Sequence, residues 1–115
     1  MAASRSRVYS CHVELALDLL GGKWKPIILA HLKQGPLRYG ELRARIRGGL
    51  SDKMLSQRLR DLEEQELISR QKSGGRGARS VYKLTTRSRG LRPALQALHD
   101  WGEQMAPEVG AIIRA

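Results

Sequence analysis

The spacing of apolar residues divides the first third of the chain into two helices separated by turns. Between residues 13 and 20 apolar side chains recur at helical spacing on two sides of a helix. Gly21 and Gly22 then end it, because glycine readily adopts the left-handed conformation of a helix C-cap. A second apolar helix is predicted over residues 25–32, and a glycine–proline pair at 35–36 forces the next turn.

A short amphipathic helix follows this turn. Tyr39, Leu42 and Ile46 recur there at positions i, i+3 and i+7, and the pattern stops at the glycines 48–49. Another helix is predicted to begin at once with Ser51 as its N-cap, since the serine hydroxyl can accept a hydrogen bond from a backbone N–H in the first turn. The pattern therefore predicts two helices joined by a glycine-containing turn.

The helix over residues 51–65 has two contrasting faces. Leu55, Leu59 and Leu62 share one face at 100° per residue, which predicts that this side packs on a core. Side chains that donate or accept hydrogen bonds lie elsewhere on the helix: Ser51, Lys53, Ser56, Gln57, Arg58 and Arg60. Lys53, Gln57 and Arg60 project opposite the leucines, so the sequence predicts a packed face and a hydrogen-bonding face.

The pattern of residues changes from helical to β-prone after residue 66. Two short β-prone runs, LISRQK and SVYKLT, are joined by the glycine- and arginine-rich segment SGGRGAR, which predicts a β-hairpin. Thr85 or Thr86 then caps a predicted long helix that Pro93 kinks, because proline removes one backbone donor. Pro107 precedes a last short helix predicted over residues 108–114.

This order of elements predicts a mainly α fold with a small β-hairpin, in the α+β class. Three helices, a short turn, a further helix, a hairpin and a final helix are what a winged helix-turn-helix requires. With 115 residues, the chain is expected to form one such domain over residues 11–115, preceded by a flexible basic arm at residues 1–10.

The balance of charge indicates a polyanionic partner. Lys and Arg number 21 against 11 Asp and Glu, which gives a net charge of +10. Residues 67–92 contain eight basic residues and no acid, so one side of the domain should be strongly positive. A solvated basic surface without a partner is the alternative explanation.

The predicted fold and the charge together suggest binding to double-stranded DNA. The major groove, about 12 Å wide, admits one α-helix, and the helix over 51–65 is the one with suitable polar side chains. Lys53 and Arg60 can donate to guanine, and Gln57 can pair with adenine. Ser51, Ser56 and Arg58 suit phosphate better. An ordinary polar helix surface is the competing interpretation.

The hairpin is the predicted wing. Its basic residues at the loop and flank can reach phosphates or the minor groove: Lys72, Arg76 and Arg79. A merely solvated loop is the alternative. An RNA-binding or architectural protein that does not read sequence, and a winged helix used for protein interaction, remain competing functions.

Three segments found in this order carry a family resemblance: GGKW, RYGEL and DKMLSQRLRDLE. Over about residues 11–102 the chain resembles the HxlR-type branch of bacterial winged-helix transcriptional regulators. The resemblance implies a homodimer built from the first and last helices that binds a palindromic site as repressor or activator, with a small molecule or an oxidant as inducer. A monomer that packs these helices internally is the alternative. The residues expected at the dimer interface are apolar: Val13, Leu17, Leu20, Leu95, Leu98, Trp101 and Met105.

Cys11 is the single cysteine of the chain, so it cannot form an internal disulfide. In some members of the resembled family the cysteine at the start of the first helix senses oxidants or electrophiles, and Cys11 in CHVE occupies the matching place. His12 replaces the commoner proline there. A small buried apolar residue without a signalling role is the other interpretation of Cys11.

Other chemistry is not indicated. No nucleophile motif, phosphate-binding glycine loop or carboxylate pair stands out, so neither an enzyme nor a cofactor is expected. His12, His31 and His99 do not reproduce a familiar metal spacing. Trp24 and Trp101 are expected to be core or dimer anchors. No segment approaches the 18 apolar residues of a membrane span, and a cytoplasmic protein is expected.

Overall fold

The computed structural model describes residues 7–72 and 80–114, and within them the chain forms a small sheet surrounded by helices. The helices are α1 His12–Leu20, α2 Trp24–Leu32, α3 Tyr39–Arg45, α4 Asp52–Glu64, α5 Thr86–Arg89 and α6 Arg92–Met105. The strands are β1 Leu37–Arg38, β2 Ile68–Lys72 and β3 Ser80–Leu84.

The first helix, α1, lies largely outside the core. Gly21 caps it with a φ of 57°, and the Gly21 N–H donates to the carbonyl of Leu17 at 2.9 Å, as the glycine pair predicts. None of the α1 residues is buried. Part of the apolar surface on the two sides of α1 is therefore not covered by the described residues of its own chain.

The core is built on α2 and α4. Ile28, Leu29 and Leu32 of α2 are buried, and α2 packs against α4, α6 and the sheet. The α4 leucines predicted to face inwards are also buried: Leu55, Leu59 and Leu62. Strand, loop and α6 residues complete this cluster, and Trp24 packs on its edge. Leucine side chains thus fix α4 from one side only.

The sheet has three antiparallel strands in the order β1-β3-β2. The hairpin β2–β3 is present as predicted, with Ile68 opposite Leu84 and Lys72 opposite Ser80. Strand β1, in which Leu37 pairs with Tyr82, was not predicted. Two residues are too few to show the period-2 alternation by which a strand is recognised.

The prediction of one long, kinked helix after the hairpin is wrong. Thr85 caps the short helix α5 in a reciprocal capping box with Ser88. A second helix, α6, then starts with Pro93 in its first turn. Proline lacks the N–H that a helix interior needs, but in the first turn that group has no partner within the helix anyway.

The short helix predicted over residues 108–114 is also wrong. Residues 106–110 form turns, and the Ala111 N–H donates to the Ala106 carbonyl at 2.8 Å. Gly110 has a φ of 70°, which is the left-handed conformation that ends a helix. The mainly α fold with a small antiparallel sheet is confirmed.

Candidate nucleic-acid interface

The turn between α3 and α4 sets the angle between these two helices. Gly48 and Gly49 have φ values of 90° and 99°, a region that residues with a Cβ rarely adopt. Ser51 follows in extended conformation, and its Oγ accepts from the Met54 N–H at 3.1 Å. The predicted N-cap is confirmed, and α4 begins at a defined point after the glycine turn.

An exposed polar cluster holds α3 against the start of α4. The Asp52 carboxylate oxygen Oδ1 accepts from Arg43 Nε at 2.8 Å and from the Tyr39 hydroxyl at 3.0 Å. In the first turn of α4, the charge of Asp52 also suits the helix dipole. Its role in bridging the two helices was missed, because a partner nine or thirteen residues away is not visible in a helical pattern.

The outward face of α4 carries the predicted base-reading residues. Lys53 and Arg60 are exposed, and Gln57 is half-buried on the same side. Ser51 lies exposed at the N-cap. Ser56 flanks the outward face and Arg58 lies nearer the leucines, and both are half-buried. Met54, an apolar residue not predicted to contact DNA, is also exposed on α4. An apolar side chain there offers a contact for the methyl group of thymine.

Gln57 lies at the centre of a hydrogen-bonded chain along α4. Its Nε2 donates to Asp61 Oδ1 at 3.0 Å, and its Oε1 accepts from Arg60 Nη2 at 3.0 Å. This arrangement fixes the amide orientation in the free protein. Nε2 has a second N–H and Oε1 a second lone pair, so Gln57 can pair bidentately with adenine while these bonds hold its amide in place.

Arg58 is already engaged by the same carboxylate. Its Nε lies 3.0 Å from Asp61 Oδ2, within ion-pair distance. The N–H is not aligned with that oxygen, and Arg58 Nε makes no hydrogen bond to any residue in the described part of the chain. We therefore regard the contact as electrostatic only, and because Nε is buried, only the exposed part of the Arg58 side chain can reach a phosphate.

The hairpin lies beside α4 and is tied to it. Arg70 Nε of β2 is 3.6 Å from Glu63 Oε2 of α4. Lys72 lies two residues further along β2, on the same face of the strand as Arg70, and is exposed. Arg76 and Arg79, the other predicted wing residues, fall in the loop outside the described residues. The part of the wing that is described thus extends the basic side of α4.

The chain thus contains a helix-turn-helix followed by a hairpin, and α4 is polar on its outer side. This arrangement can be compared with known proteins. The model of the family described as HxlR-like helix-turn-helix matches residues 19–109. The chain belongs to this family.

Relatives with known structures and names agree with this assignment. Regulatory protein MalR of Fusobacterium mortiferum is 40% identical over 101 residues, which cover 87% of this chain and 94% of MalR. The reduced form of the redox regulator HypR superposes with a TM-score of 0.78 at 33% identity, covering 87% of this chain and 98% of HypR. Reduced YodB from Bacillus subtilis gives a TM-score of 0.68 at 33% identity, covering 84% and 94%.

The HxlR-like chain is therefore a transcriptional regulator with a helix-turn-helix DNA-binding fold, and the predicted winged-helix class is confirmed. Its family and relatives are regulators rather than enzymes. Within the described residues, no helix is both long and apolar enough to cross a membrane.

Apolar side chains on α1 and α6 of the HxlR-like chain face solvent. Val13, Leu17, Leu98 and Trp101 are between 60% and 66% exposed. Leu20 and Met105 are half-buried. Leu95, which was predicted with them, is only 4% exposed and belongs to the core of its own chain, so it offers no free surface.

Cys11 is exposed at the N-cap of α1. Its backbone is extended, and its side chain makes no capping hydrogen bond. Burial as a small apolar residue, the alternative considered for Cys11, is not what the single chain shows.

The three histidines do not form a common set of metal ligands within the described residues. His99 does lie with Asp100 and Glu103 on the exposed side of α6, with potential ligand atoms within 4.8 Å of one another. Exposed acidic groups at this spacing along one helix are common without an ion, and we assign no metal to them.

Proposed function

We propose that this HxlR-like regulator represses transcription by binding a palindromic operator as a homodimer, with α4 in the major groove. The observation that carries the proposal is the two-sided character of α4. Buried leucines hold it from within, while Lys53, Gln57 and Arg60 face outwards beside the basic hairpin. A chromosomal target places the protein in the cytoplasm.

The proposed roles of the side chains follow from their chemistry. Lys53 and Arg60 donate to guanine O6 and N7, and Gln57 pairs with adenine. Ser51, Ser56 and Arg58 contact phosphates at the edges of α4. Lys72, with Arg76 and Arg79 from the loop, contacts the flanking backbone or the minor groove.

The proposed dimer uses the exposed apolar residues of α1 and α6. Val13, Leu17 and Trp101 supply its centre, with Leu20, Leu98 and Met105 at its edge. A twofold axis through this surface presents two α4 helices to successive major grooves about 34 Å apart.

Cys11 is the candidate for control by oxidants. It is exposed at the start of a helix that belongs to the proposed interface. The structural relative HypR is named a redox regulator. Because it is the single cysteine, two-electron oxidation gives a disulfide either with the partner's Cys11 or with a small thiol, with loss of both thiol protons. Diamide treatment should lower operator affinity of the wild type and leave Cys11→Ala unchanged.

The decisive experiment selects binding sites from random duplexes and then measures affinity for the selected site and for an unrelated duplex by fluorescence anisotropy. Arg60→Ala should weaken binding to the selected site about 10-fold or more, since one bidentate base contact is worth about 1–3 kcal/mol. Binding to the unrelated duplex should change much less. Arg92→Ala is the charge-matched control outside α4 and the hairpin.

Two outcomes contradict the proposal. Selection that yields no common sequence, with all duplexes bound equally, identifies an architectural protein instead. Affinity that does not fall between about 50 mM and 200 mM salt excludes a phosphate-based interface, because release of counterions makes such binding strongly salt-dependent.

A further inference from the structure

An open groove lies between α2 and α6, away from the outer face of α4. It encloses about 410 Å³, within the range of about 300–1,000 Å³ typical of small-molecule sites. Its apolar lining includes Ile27 and Ala30 of α2 and Leu98 of α6. This surface suits the flat face of an aromatic ring or a short aliphatic chain.

The polar lining of the groove is entirely basic. It consists of His31 and Lys33, at the end of α2, and His99 of α6. Lys33 makes no ion pair with any residue in the described ranges. The Asp100 carboxylate is exposed and lies 3.2 Å from His99 Nδ1. Hydrogen bonds from Gln96 and His99 lower the pKa of this carboxylate, and the charge of Lys33 lowers it further, so it faces part of this basic edge from the solvent side.

The electrostatic surroundings of His31 agree with this. Burial lowers its pKa, and the positive charges of Arg45 and Lys33 lower it further. Within the described residues, no acidic group contributes to this pKa. A positive potential beside an apolar surface is complementary to an anion that also has an apolar body.

We propose that this groove binds a small amphipathic carboxylate. The apolar body lies against Ile27, Ala30 and Leu98, and the carboxylate lies near Lys33 and His31. A neutral apolar molecule would leave Lys33 and His31 without an anion inside the groove, and a phosphate would leave the apolar lining exposed to water.

The position of the groove gives such a ligand a route to DNA binding, and this part rests on the proposed function. Helix α2 packs on α4, whereas α6 carries Leu98 and Trp101 of the proposed dimer surface. A ligand that prefers one spacing of α2 and α6 shifts the orientation of α4 relative to the dimer axis.

Binding is tested with 2-naphthoate on the full chain in the absence of DNA, by following backbone amide NMR shifts. Saturable shifts are expected in residues 27–33 and 95–99. The neutral isostere 2-naphthamide should bind at least 10-fold more weakly, and 2-naphthylmethylammonium should not bind there. These ligand controls use the wild-type protein and do not depend on the folding of a variant.

Lys33→Gln should weaken 2-naphthoate binding at least 10-fold. Lys83→Gln is the matched control, because Lys83 is an exposed lysine on β3 outside the groove. Circular dichroism melts confirm that both variants are folded.

Equal binding of the acid and the amide, shifts that map elsewhere, or no saturable binding overturns the site. Dimerisation through α6 shifts residues 95–99 with protein concentration, whereas concentration-dependent shifts in residues 27–33 show that a second copy covers the groove, which also overturns it. Operator affinity is then measured with and without 2-naphthoate, and no change overturns the regulatory part. Binding of 2-naphthoate without binding of DNA contradicts only the proposed function. Binding of DNA without binding of 2-naphthoate contradicts only this site.

Discussion

At the scale of single residues, Asp61 holds the candidate recognition surface in one arrangement. Its two carboxylate oxygens engage Gln57 and Arg58 on the same helix. Asp61→Ala should raise affinity for all duplexes several-fold, because a negative charge leaves the DNA side. Discrimination between the selected and unrelated sites should fall, because the Gln57 amide loses its fixed orientation. Anisotropy titrations on both duplexes measure the two effects.

Glu64→Ala is the control for this prediction. It removes the same charge from α4 at an exposed position that is not part of the Gln57 chain. An equal loss of discrimination in Glu64→Ala would show that charge alone, and not the orientation of Gln57, is responsible.

His31 makes stability depend on pH in a defined direction. Burial and the charges of Arg45 and Lys33 hold its pKa below the ordinary value of 6.5, and His99 faces the same groove. The unfolded chain therefore takes up a proton at higher pH than the folded one. The free energy of unfolding should be at its full value above pH 6.5 and decline as the pH falls below it.

Thermal midpoints at pH 7.5, 6.5 and 5.5 measure this effect. His31→Gln should flatten the decline between pH 6.5 and 5.5, since glutamine binds no proton. Parallel curves for the two proteins would assign the pH dependence to other groups.

The sequence predicted which α4 residues face outwards but not how they are engaged. The 100° periodicity places Lys53 and Arg60 opposite the leucines, and both are exposed. The i,i+4 spacing of Gln57 and Asp61 allowed a hydrogen bond. Periodicity does not determine whether Gln57 forms this hydrogen bond or points away from Asp61, because the position of Cβ is the same in both conformations.

At the scale of elements, Gln65 joins the ends of three helices. It is the C-cap of α4, its Oε1 accepts from Lys25 Nζ at 3.0 Å, and its Nε2 donates to the Leu19 carbonyl at 2.7 Å. Gln65→Ala should cost about 1–2 kcal/mol, because two hydrogen bonds are lost. Amide hydrogen exchange in α1 should accelerate more than in α2.

Gln71→Ala serves as the matched control, because Gln71 is exposed on β2 and distant in sequence from α1. Chemical denaturation gives the stability of each variant. Unchanged exchange in α1 of Gln65→Ala would show that this residue does not hold α1 in place.

Elements with long periodic patterns were predicted well, and short or proline-containing ones were not. The helices α1, α2 and α4 have repeated apolar positions, and Gly21 at the end of α1 and Ser51 at the start of α4 mark two of their boundaries. Strand β1 is recognisable only by its pairing with β3, a long-range contact. The division into α5 and α6 depends on whether Pro93 interrupts a helix or starts one, and apolar spacing is the same in both cases.

At the scale of the whole molecule, the exposed apolar surface predicts the oligomeric state. Leu17→Glu should convert the proposed dimer to a monomer, since it places a charge in an apolar interface. Sedimentation velocity measures the mass. Operator affinity should fall at least 10-fold in the same variant, because two half-sites are no longer bound together.

Thr86→Glu introduces the same charge at an exposed position on α5 and should remain dimeric. A monomeric wild type, or a Leu17→Glu variant that still sediments as a dimer, would contradict the proposed interface.

Because α1 has no buried side chain, the helical order of α1 should depend on the concentration of the protein in the cell. A helix of nine residues is marginal by itself in water, so α1 needs a neighbour to remain helical. If that neighbour is a second molecule, mass action makes helicity increase with expression level. A cell holding few copies would then contain regulators with a frayed amino-terminal segment, and repression would switch on over a narrow range of gene dosage.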